Sequence, residues 1–166
     1  IFRVPPTYGP REKNMVSAFR MVKKGIMPVM GYVDQHLSMI YIKDLAAFFM
    51  EALHRPVHNT RYLISDGGNY PQKRVTEAIA RAIGNNPMRL RIPLIGIRAA
   101  IGVLSVQSAI TGKSNILNHQ KYKEIAPRNW QIDASRAIKE LAYKPQYTLE
   151  EGIKATYQWY LSQQWL

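Results

Sequence analysis

The first twelve residues, IFRVPPTYGPRE (residues 1–12), join an extended apolar segment to a turn of unusual composition. Residues 1–4 are typical of a buried strand. The strand must end at Pro5 and Pro6, because proline has no backbone N–H to donate to a neighbouring strand. We expect Gly9, in the turn that follows, to adopt a backbone angle that other residues avoid. The opening therefore predicts a strand that leads directly into a rigid loop.

Beyond this opening, segments with helical periodicity alternate with short segments rich in β-branched and aromatic residues. This alternation favours an α/β or α+β architecture. Strands are predicted at residues 27–30, 38–42, 61–65 and 89–92, and helices at residues 13–24, 44–54, 72–83, 133–142 and after 148.

Local signals indicate where several of these helices begin or end. Gly25 and Gly84 follow helical segments and are predicted to end them in a left-handed conformation. Asp44 is predicted to cap the second helix, and Thr148 with Glu151 forms a capping-box pattern before the last one. The periodicity of these two helices predicts inward faces made of Leu45, Phe48, Phe49, Ala52, Ile153, Tyr157, Tyr160 and Leu161.

The composition is that of a globular chain with a strong excess of positive charge. Of 166 residues, 23 are Lys or Arg and 11 are Asp or Glu, which gives a formal net charge of +12. This excess is compatible with a solvated basic surface or with a site for an anionic ligand. The basic residues form no run longer than Lys23-Lys24, and no nucleic-acid motif is found, so we expect no nucleic-acid partner.

Several classes of site are excluded or disfavoured by residue type. The chain has no cysteine, which excludes disulfides and thiolate metal sites. Its four histidines are too dispersed to suggest a metal site, so no metal is expected. The sequence contains no G-x-G-x-x-G, P-loop, G-x-S-x-G or H-E-x-x-H motif, so the usual dinucleotide fingerprint is absent from these residues.

One apolar stretch, IPLIGIRAAIGVLSVQSAI (residues 92–110), has the length of a membrane span. It contains Arg98, Pro93 and Gln107, and its apolar residues keep helical spacing. We interpret it as a packed amphipathic helix, with membrane-surface contact as the alternative, and expect no membrane span. No signal-peptide layout is present at residue 1, and we expect a cytoplasmic protein.

Four segments resemble, in order, parts of the extended short-chain dehydrogenases. They are FRVPPTYGPRE, SMIYIKDLAAFFMEAL, YLISDGGNYPQKRVTEAIARAIG and WQIDASRAIKELAYKPQYTLEEGIKATYQWY, and the match is weakest over residues 88–128. The chain resembles the C-terminal part of a nucleoside-diphosphate-sugar epimerase/dehydratase-like protein of that family. An unrelated basic α/β domain with similar local signals is the alternative.

The resemblance implies the last strands of a Rossmann-like sheet together with a small mixed α+β substrate-binding domain. Residues 1–166 would form a single C-terminal substrate-binding domain, without the N-terminal nucleotide-binding half. In the family, that half carries the glycine-rich loop and a Tyr-x-x-x-Lys catalytic pair. We therefore expect no catalytic residue in this chain, no activity and no bound cofactor for the chain alone, and NAD or NADP in the complete protein.

The resemblance also implies positions for site residues. Pro5, Pro6 and Thr7 match the turn that lies beside the nicotinamide, and Tyr8, Arg11, Lys123 and Arg128 match or fall near positions that contact substrate. A purely structural role in the turn is the alternative for Pro5 and for Arg11. Family members often carry an arginine where this chain has Leu37, which puts a nucleotide-sugar substrate in doubt. The apolar residues 95–109 would instead suit a hydrophobic substrate, as in steroid-dehydrogenase-like relatives.

Two functional hypotheses follow from the resemblance. In the first, the chain is the substrate-binding part of an NAD(P)-dependent epimerase, dehydratase or reductase that acts on a small molecule. In the second, it is a non-catalytic binding or regulatory module on the same fold, with a basic surface for an acidic partner. In either case we expect one face to pack against the N-terminal half, and the isolated chain to form a homodimer or a swapped assembly.

Overall fold

The computed structural model of the chain describes residues 1–30, 35–55, 60–92 and 129–166. Short strands and longer helices alternate within these ranges. In chain order they are β1 (Phe2–Arg3), β2 (Thr7–Tyr8), α1 (Val16–Lys23), β3 (Ile26–Met30), β4 (His36–Leu37), β5 (Ile40–Tyr41), α2 (Ile42–Leu53), β6 (Tyr62–Leu63), β7 (Tyr70–Pro71), α3 (Gln72–Ile83), β8 (Met88–Ile92), β9 (Asn129–Trp130), α4 (Ser135–Glu140) and α5 (Leu149–Ser162).

The described strands form three parallel pairs and one mixed sheet. β1 pairs with β6, β2 with β5, and β3 with β8, while β4 lies between antiparallel β7 and parallel β9. Parallel pairing requires a long crossover connection, usually a helix. Here α2 lies in the connection from β1 to β6, and α3 lies in the connection from β3 to β8. This arrangement confirms the predicted α/β character.

The larger core cluster collects the apolar faces of α1, α3 and α5. Phe19 and Tyr160 pack edge to face with ring centroids 5.2 Å apart, and Phe19 also stacks on Tyr157. Ile79 from α3 and Tyr8 from β2 complete the centre of this cluster, where each is almost fully buried. Tyr8 thereby joins the loop after β1 to the packed helices.

A second core cluster surrounds the β1–β6 pair. Phe48 of α2 is fully buried and meets Phe2 and Tyr143 edge to face, with ring centroids 5.3 Å apart in both contacts. Ile64 follows β6 and is fully buried in the same cluster, together with Ala137 of α4. This cluster fixes the carboxyl end of the parallel pair against α2 and α4.

The predicted stop signals after α1 and α3 and the predicted capping box before α5 are confirmed. Gly25 follows α1 with φ 82°, and Gly84 ends α3 with φ 81°, both in the left-handed region. The Thr148 hydroxyl accepts from the backbone N–H of Glu151, and the Glu151 carboxylate accepts from the backbone N–H of Thr148, so the capping box before α5 is present. The α1 and α4 helices are shorter at both ends than the periodicity predicts.

The prediction that Asp44 caps the second helix is wrong. The helix begins at Ile42, and its N-cap residue, Tyr41, makes no side-chain capping bond. Asp44 lies in the first turn, where its buried carboxylate accepts hydrogen bonds from the backbone N–H groups of Gln146, at 2.9 Å, and Tyr147, at 3.3 Å. The carboxylate that the sequence pattern assigned to capping therefore accepts hydrogen bonds from a loop that is distant in the sequence.

Some side chains predicted to face inward are exposed. Ile1 and Val4 are 72% and 40% exposed, Phe49 of α2 is 41% exposed, and Leu161 of α5 is 43% exposed. In the part of the chain that the structure describes, β1 pairs only with β6, so its other edge is open. An open edge leaves the apolar residues of an opening strand without a covering layer. The predictions over residues 93–128, including the apolar helix at 95–109, lie outside the described residues.

Candidate cofactor and substrate site

A cavity of about 320 Å³ lies where the chain leaves the parallel strands β1 and β6. In open α/β sheets, ligands bind outside the carboxyl ends of the strands, which is where this cavity is found. Its size is at the lower end of the range typical for small-molecule sites. The described residues that line it are Arg3, Val4, Pro5, Pro6, Leu63, Asn129, Trp130, Gln131 and Ile132.

Backbone pairing fixes one wall of the cavity. The Arg3 carbonyl accepts a hydrogen bond from the N–H of Ile64 at 3.0 Å, which continues the parallel ladder past Leu63. Pro5 and Pro6 follow directly, and each lacks a backbone N–H. The wall is therefore rigid and poor in hydrogen-bond donors, as suits contact with the face of a flat ring.

The segment that follows β9 forms the facing wall and is held by β4. Trp130 pairs with Leu37, and the Trp130 carbonyl accepts from the N–H of Ser38 at 3.0 Å. The Ser38 hydroxyl also accepts from the N–H of Ile132 at 3.1 Å. Ser38 is buried, so these bonds are shielded from water and position Trp130 and Ile132 at the cavity.

The turn after the proline pair has a backbone that few residues can adopt. Gly9 has φ 143°, and a Cβ atom there would clash with Ile42 Cγ2, so the predicted need for glycine is confirmed. Arg11 also has a positive φ, 69°, and is exposed. The Thr7 hydroxyl donates to the Pro5 carbonyl at 3.3 Å, which ties the start of β2 back to the cavity wall.

Tyr8 lies behind the turn, not in the cavity. Its ring is fully buried beside Tyr41, with centroids 5.5 Å apart, and its hydroxyl lies where a side chain on Gly152 would have to go. The hydroxyl has no hydrogen-bond partner among the described residues. Burial raises the pKa of the Tyr8 phenol, and the nearby Asp66 carboxylate raises it further. The phenol is therefore neutral throughout the ordinary pH range.

The loop after β6 contains a half-buried carboxylate, that of Asp66. The Asp66 carboxylate accepts from the N–H of Gly68 at 2.8 Å and from the hydroxyl of Tyr70 at 2.9 Å. Burial raises the pKa of Asp66 above its ordinary value, although these hydrogen bonds oppose the shift. The same carboxylate raises the pKa of Tyr70, after burial as the larger cause. These bonds hold the turn that joins β6 to β7.

The structure brings together some of the predicted site residues and not others. Pro5 and Pro6 line the cavity, and Thr7 is bonded to Pro5. Tyr8 is buried behind the turn, and Arg11 is exposed without lining this cavity. Lys123 and Arg128 lie outside the described residues.

Sequence reasoning missed the wall opposite the prolines. Trp130 and Ile132 are the first and third residues of the segment WQIDAS, which the resemblance had marked only as a family pattern. The sequence signal at this wall was the tryptophan that begins the segment. Pairing between β4 and β9 links residues 93 positions apart, and no local pattern shows such a pairing.

The described part of the cavity is mainly apolar. Among its described lining residues, Arg3 is the one charged side chain. Within the same described ranges, no three histidine, aspartate or glutamate side chains come together as metal ligands do. No helix among the described residues has both the length and the apolar character needed to cross a membrane.

Comparison with known proteins relates the chain to sugar-nucleotide enzymes and to a lipid enzyme. It is 29% identical over 164 residues to UDP-glucose 4-epimerase from Vibrio cholerae, and the aligned region covers 97% of this chain and 46% of the epimerase. It is 24% identical over 170 residues to ceramide reductase from Caulobacter vibrioides, and the aligned region covers 100% of this chain and 52% of the reductase. The chain thus spans about half the length of these relatives. No model of a protein family matches it.

Solved structures show the same fold. UDP-glucose 4-epimerase from Thermotoga maritima, solved with UDP-glucose, superimposes with a TM-score of 0.71 at 16% identity, over 98% of this chain and 46% of that one. dTDP-glucose 4,6-dehydratase from Bacillus anthracis, solved with NAD, gives a TM-score of 0.67 at 18% identity, over 99% and 45% of the two chains.

These matches define the class of the fold. The chain is a partial Rossmann-like α/β structure that fits the C-terminal part of the extended short-chain dehydrogenases. The similar proteins include epimerases and dehydratases, some of them solved with NAD, in agreement with the resemblance that the sequence patterns indicated.

Proposed function

We propose that this chain is the substrate-binding part of an NAD(P)-dependent epimerase, dehydratase or reductase, and that it works only within a complete protein of about twice its length. The observation that supports this most directly is the cavity at the carboxyl end of β1, walled by Pro5 and Pro6. The relatives named above, of which this chain spans about half, support the enzyme class.

The residues of the cavity fit a nicotinamide ring. When bound, NAD or NADP accepts a hydride from the substrate carbon or returns one to it. The proposed contacts to the ring come from Pro5, Pro6 and Thr7. The proline wall excludes water and offers no donor that would compete for the ring's own polar groups.

The substrate is proposed to enter from the side of the turn that carries Arg11. Arg11 is exposed and can turn toward a polar group of the substrate. Tyr8 packs in the core behind this turn and holds it in position. We therefore assign Tyr8 an indirect role on the substrate side. Lys123 and Arg128 are proposed to hold a polar or anionic group of the same molecule.

The catalytic acid and base are proposed to lie outside this chain, in a nucleotide-binding half. In this proposal, that half packs against the open edge of β1 and the exposed side of α2. Ile1, Phe49 and Leu53 present apolar surface there, at 72%, 41% and 78% exposure, and Phe2 contacts Phe49 from the strand. A parallel two-stranded sheet with a bare side is unusual in stable proteins, which supports a covering layer.

The proline wall is tested by cofactor binding to the complete gene product. Pro5→Ala frees the backbone of the wall, and we expect it to weaken NAD(P) binding several-fold. Pro145→Ala, in the loop before α5 and outside the cavity, is the matched control and should bind as the parent does. If both variants bind the cofactor as tightly as the parent, the cavity is not the nicotinamide site.

A further inference from the structure

We propose a second binding site, for the phosphate group of a small molecule, in a cavity between α1 and the turn that follows α5. The cavity has a volume of about 370 Å³, and the described residues that line it are Lys13, Val16, Ser17, Arg20, Gln164 and Trp165. It shares none of them with the described lining of the cavity at β1. Binding here is therefore independent of the proposed cofactor and substrate.

One wall is a row of polar and basic side chains along α1. Lys13, in the turn before the helix, lies four positions before Ser17 and seven before Arg20, so the three share one side, and all are exposed. The Glu12 carboxylate accepts from the backbone N–H of Met15 at 2.8 Å, which fixes the turn that carries Lys13. Two cations and a hydroxyl therefore line the same cavity.

The Arg20 guanidinium is held against the opposite wall. It donates to the Trp165 carbonyl at 2.9 Å, and this bond uses one of its five N–H donors. A carbonyl has no net charge, so the bond orients the guanidinium without neutralising it. The positive charge of Arg20 is thereby fixed at the cavity, where an anion gains both its charge and its donors.

The opposite wall is the turn after α5, whose backbone is also fixed. The N–H of Gln164 donates to the Leu161 carbonyl at 3.1 Å, and the N–H of Trp165 donates to the Tyr160 carbonyl at 2.9 Å. Gln164 has φ 57°, a left-handed angle at which glycine is preferred after a helix. This chain instead has a carboxamide side chain there, which lines the cavity and adds a neutral donor.

The donors of the two walls match a phosphate group. A phosphate monoester carries close to two negative charges at neutral pH and three strong acceptor oxygens, which suit two cations, a hydroxyl and an amide. A carboxylate has a single charge and two oxygens. Val16 and the ring of Trp165, which stacks on Tyr160 with centroids 5.6 Å apart, add apolar surface for the body of the ligand. The site therefore fits a phosphate ester of a small apolar or aromatic group.

The test is calorimetry on the complete gene product, with NAD and NADP in excess and phenyl phosphate as the probe. Ser17→Glu and Ser17→Gln are a matched pair at an exposed position, because the two new side chains have the same shape and differ in charge. We expect Ser17→Gln to bind phenyl phosphate within about threefold of the parent. Ser17→Glu should bind it at least about tenfold more weakly, because the added carboxylate repels the phosphate and pairs with the cations.

A second variant tests the guanidinium. Arg20→Gln should weaken phenyl phosphate binding about tenfold, because it removes a charged donor group. Lys24→Gln, at an exposed position directly after α1 and outside the described lining, is the control and should weaken it by less than about twofold. Circular dichroism checks the fold of each variant, and the Ser17 pair carries the test if Arg20→Gln fails to fold.

Equal binding of phenyl phosphate by Ser17→Glu and Ser17→Gln would overturn the proposal, as would no binding by the parent. Vesicles of phosphatidylcholine with and without phosphatidic acid distinguish the source of the phosphate group. Sedimentation with the phosphatidic acid vesicles that Ser17→Glu abolishes would identify a lipid head group, and binding of phenyl phosphate without sedimentation would identify a soluble phosphate ester. NAD and NADP binding, which tests the proposed function, should be unchanged in every variant.

Discussion

Two buried tyrosines of the larger core cluster differ in what their hydroxyl groups contact. The Tyr160 hydroxyl donates to the Glu12 carbonyl at 2.5 Å, and the Tyr8 hydroxyl has no partner among the described residues. Removing the bonded hydroxyl of Tyr160 leaves a partly buried carbonyl unsatisfied, whereas removing the unbonded hydroxyl of Tyr8 removes a desolvated polar group.

We therefore expect opposite results from the same chemical change at these two residues. Tyr160→Phe should lower the free energy of unfolding by about 1–1.5 kcal/mol, and Tyr8→Phe should leave it unchanged or raise it. Urea unfolding followed by circular dichroism measures both variants. An equal loss in Tyr8→Phe would show that its hydroxyl has a bonding partner.

Two aspartates predict opposite dependences of stability on pH. Burial raises the pKa of Asp66 above its unfolded value, so its contribution is fully present below the unfolded pKa and is lost as pH rises through the folded pKa. Hydrogen bonds from Ser135 lower the pKa of Asp133, so its contribution is present above the unfolded pKa and is lost as pH falls through the folded pKa.

Asparagine variants at the two positions separate these contributions. The stability of the parent relative to Asp66→Asn should decrease as pH rises from about 4 toward 7, and the stability relative to Asp133→Asn should increase over the acid range. Unfolding in urea at a series of pH values gives both differences. If both differences in the free energy of unfolding changed with pH in the same direction, the assigned pKa shifts of Asp66 and Asp133 would be contradicted.

At the scale of elements, Asp44 joins α2 to the loop before α5. Its buried carboxylate accepts from the N–H groups of Gln146 and Tyr147, which are more than 100 positions away in the sequence. Asp44→Ala should lower the free energy of unfolding by about 2–3 kcal/mol, because two backbone donors lose a charged acceptor. Glu51→Ala, at an exposed acidic position of the same helix, is the control and should change it by less than about 0.5 kcal/mol. A loss in Asp44→Ala no larger than in the control would contradict this role.

Two of the long helices, α3 and α5, were predictable because α3 carries its own stop signal and α5 its own start signal. The predicted range 72–83 is that of α3, and α5 begins after its capping box as expected. The strands were less predictable, since most span only two residues and depend on partners far along the chain. Asp44 shows the same limit. Its residue type suits a helix cap, but its carboxylate accepts hydrogen bonds from a loop that is distant in the sequence.

Part of the cavity wall could be predicted from the sequence. Pro5 and Pro6 line the cavity, and the rigid turn that they form after a strand is a local feature of the sequence, while their contact with a cofactor stays a prediction. Trp130 and Ile132 were missed because β9 reaches the cavity only through its pairing with β4. Phe49 was predicted to face inward because periodicity shows which side of a helix is apolar but not whether this chain covers that side.

At the scale of the whole molecule, the exposed apolar face formed by Ile1, Phe49 and Leu53 predicts self-association of the isolated chain. These side chains are 72%, 41% and 78% exposed, and the edge of β1 beside them is open in the described part of the chain. We expect the 166-residue chain to form dimers or larger species through this face. The double change Phe49→Ser and Leu53→Ser should shift it toward the monomer.

Light scattering after size exclusion measures this association. Leu161→Ser is the matched control, because Leu161 is similarly exposed on α5 but does not belong to this face. A monomeric parent chain over the accessible concentration range would contradict the prediction, as would equal dissociation of the control.

The central claim is that cofactor binding needs both this chain and the remainder of a longer protein. The most direct test is calorimetry, in which NAD and NADP are titrated separately into the complete gene product and into the 166-residue chain. The account predicts binding of one of the two cofactors by the complete product and none by the chain. Absence of binding by the complete product would contradict the enzyme and favour a non-catalytic module with a basic surface, and binding by the chain alone would contradict the division of the site between two halves.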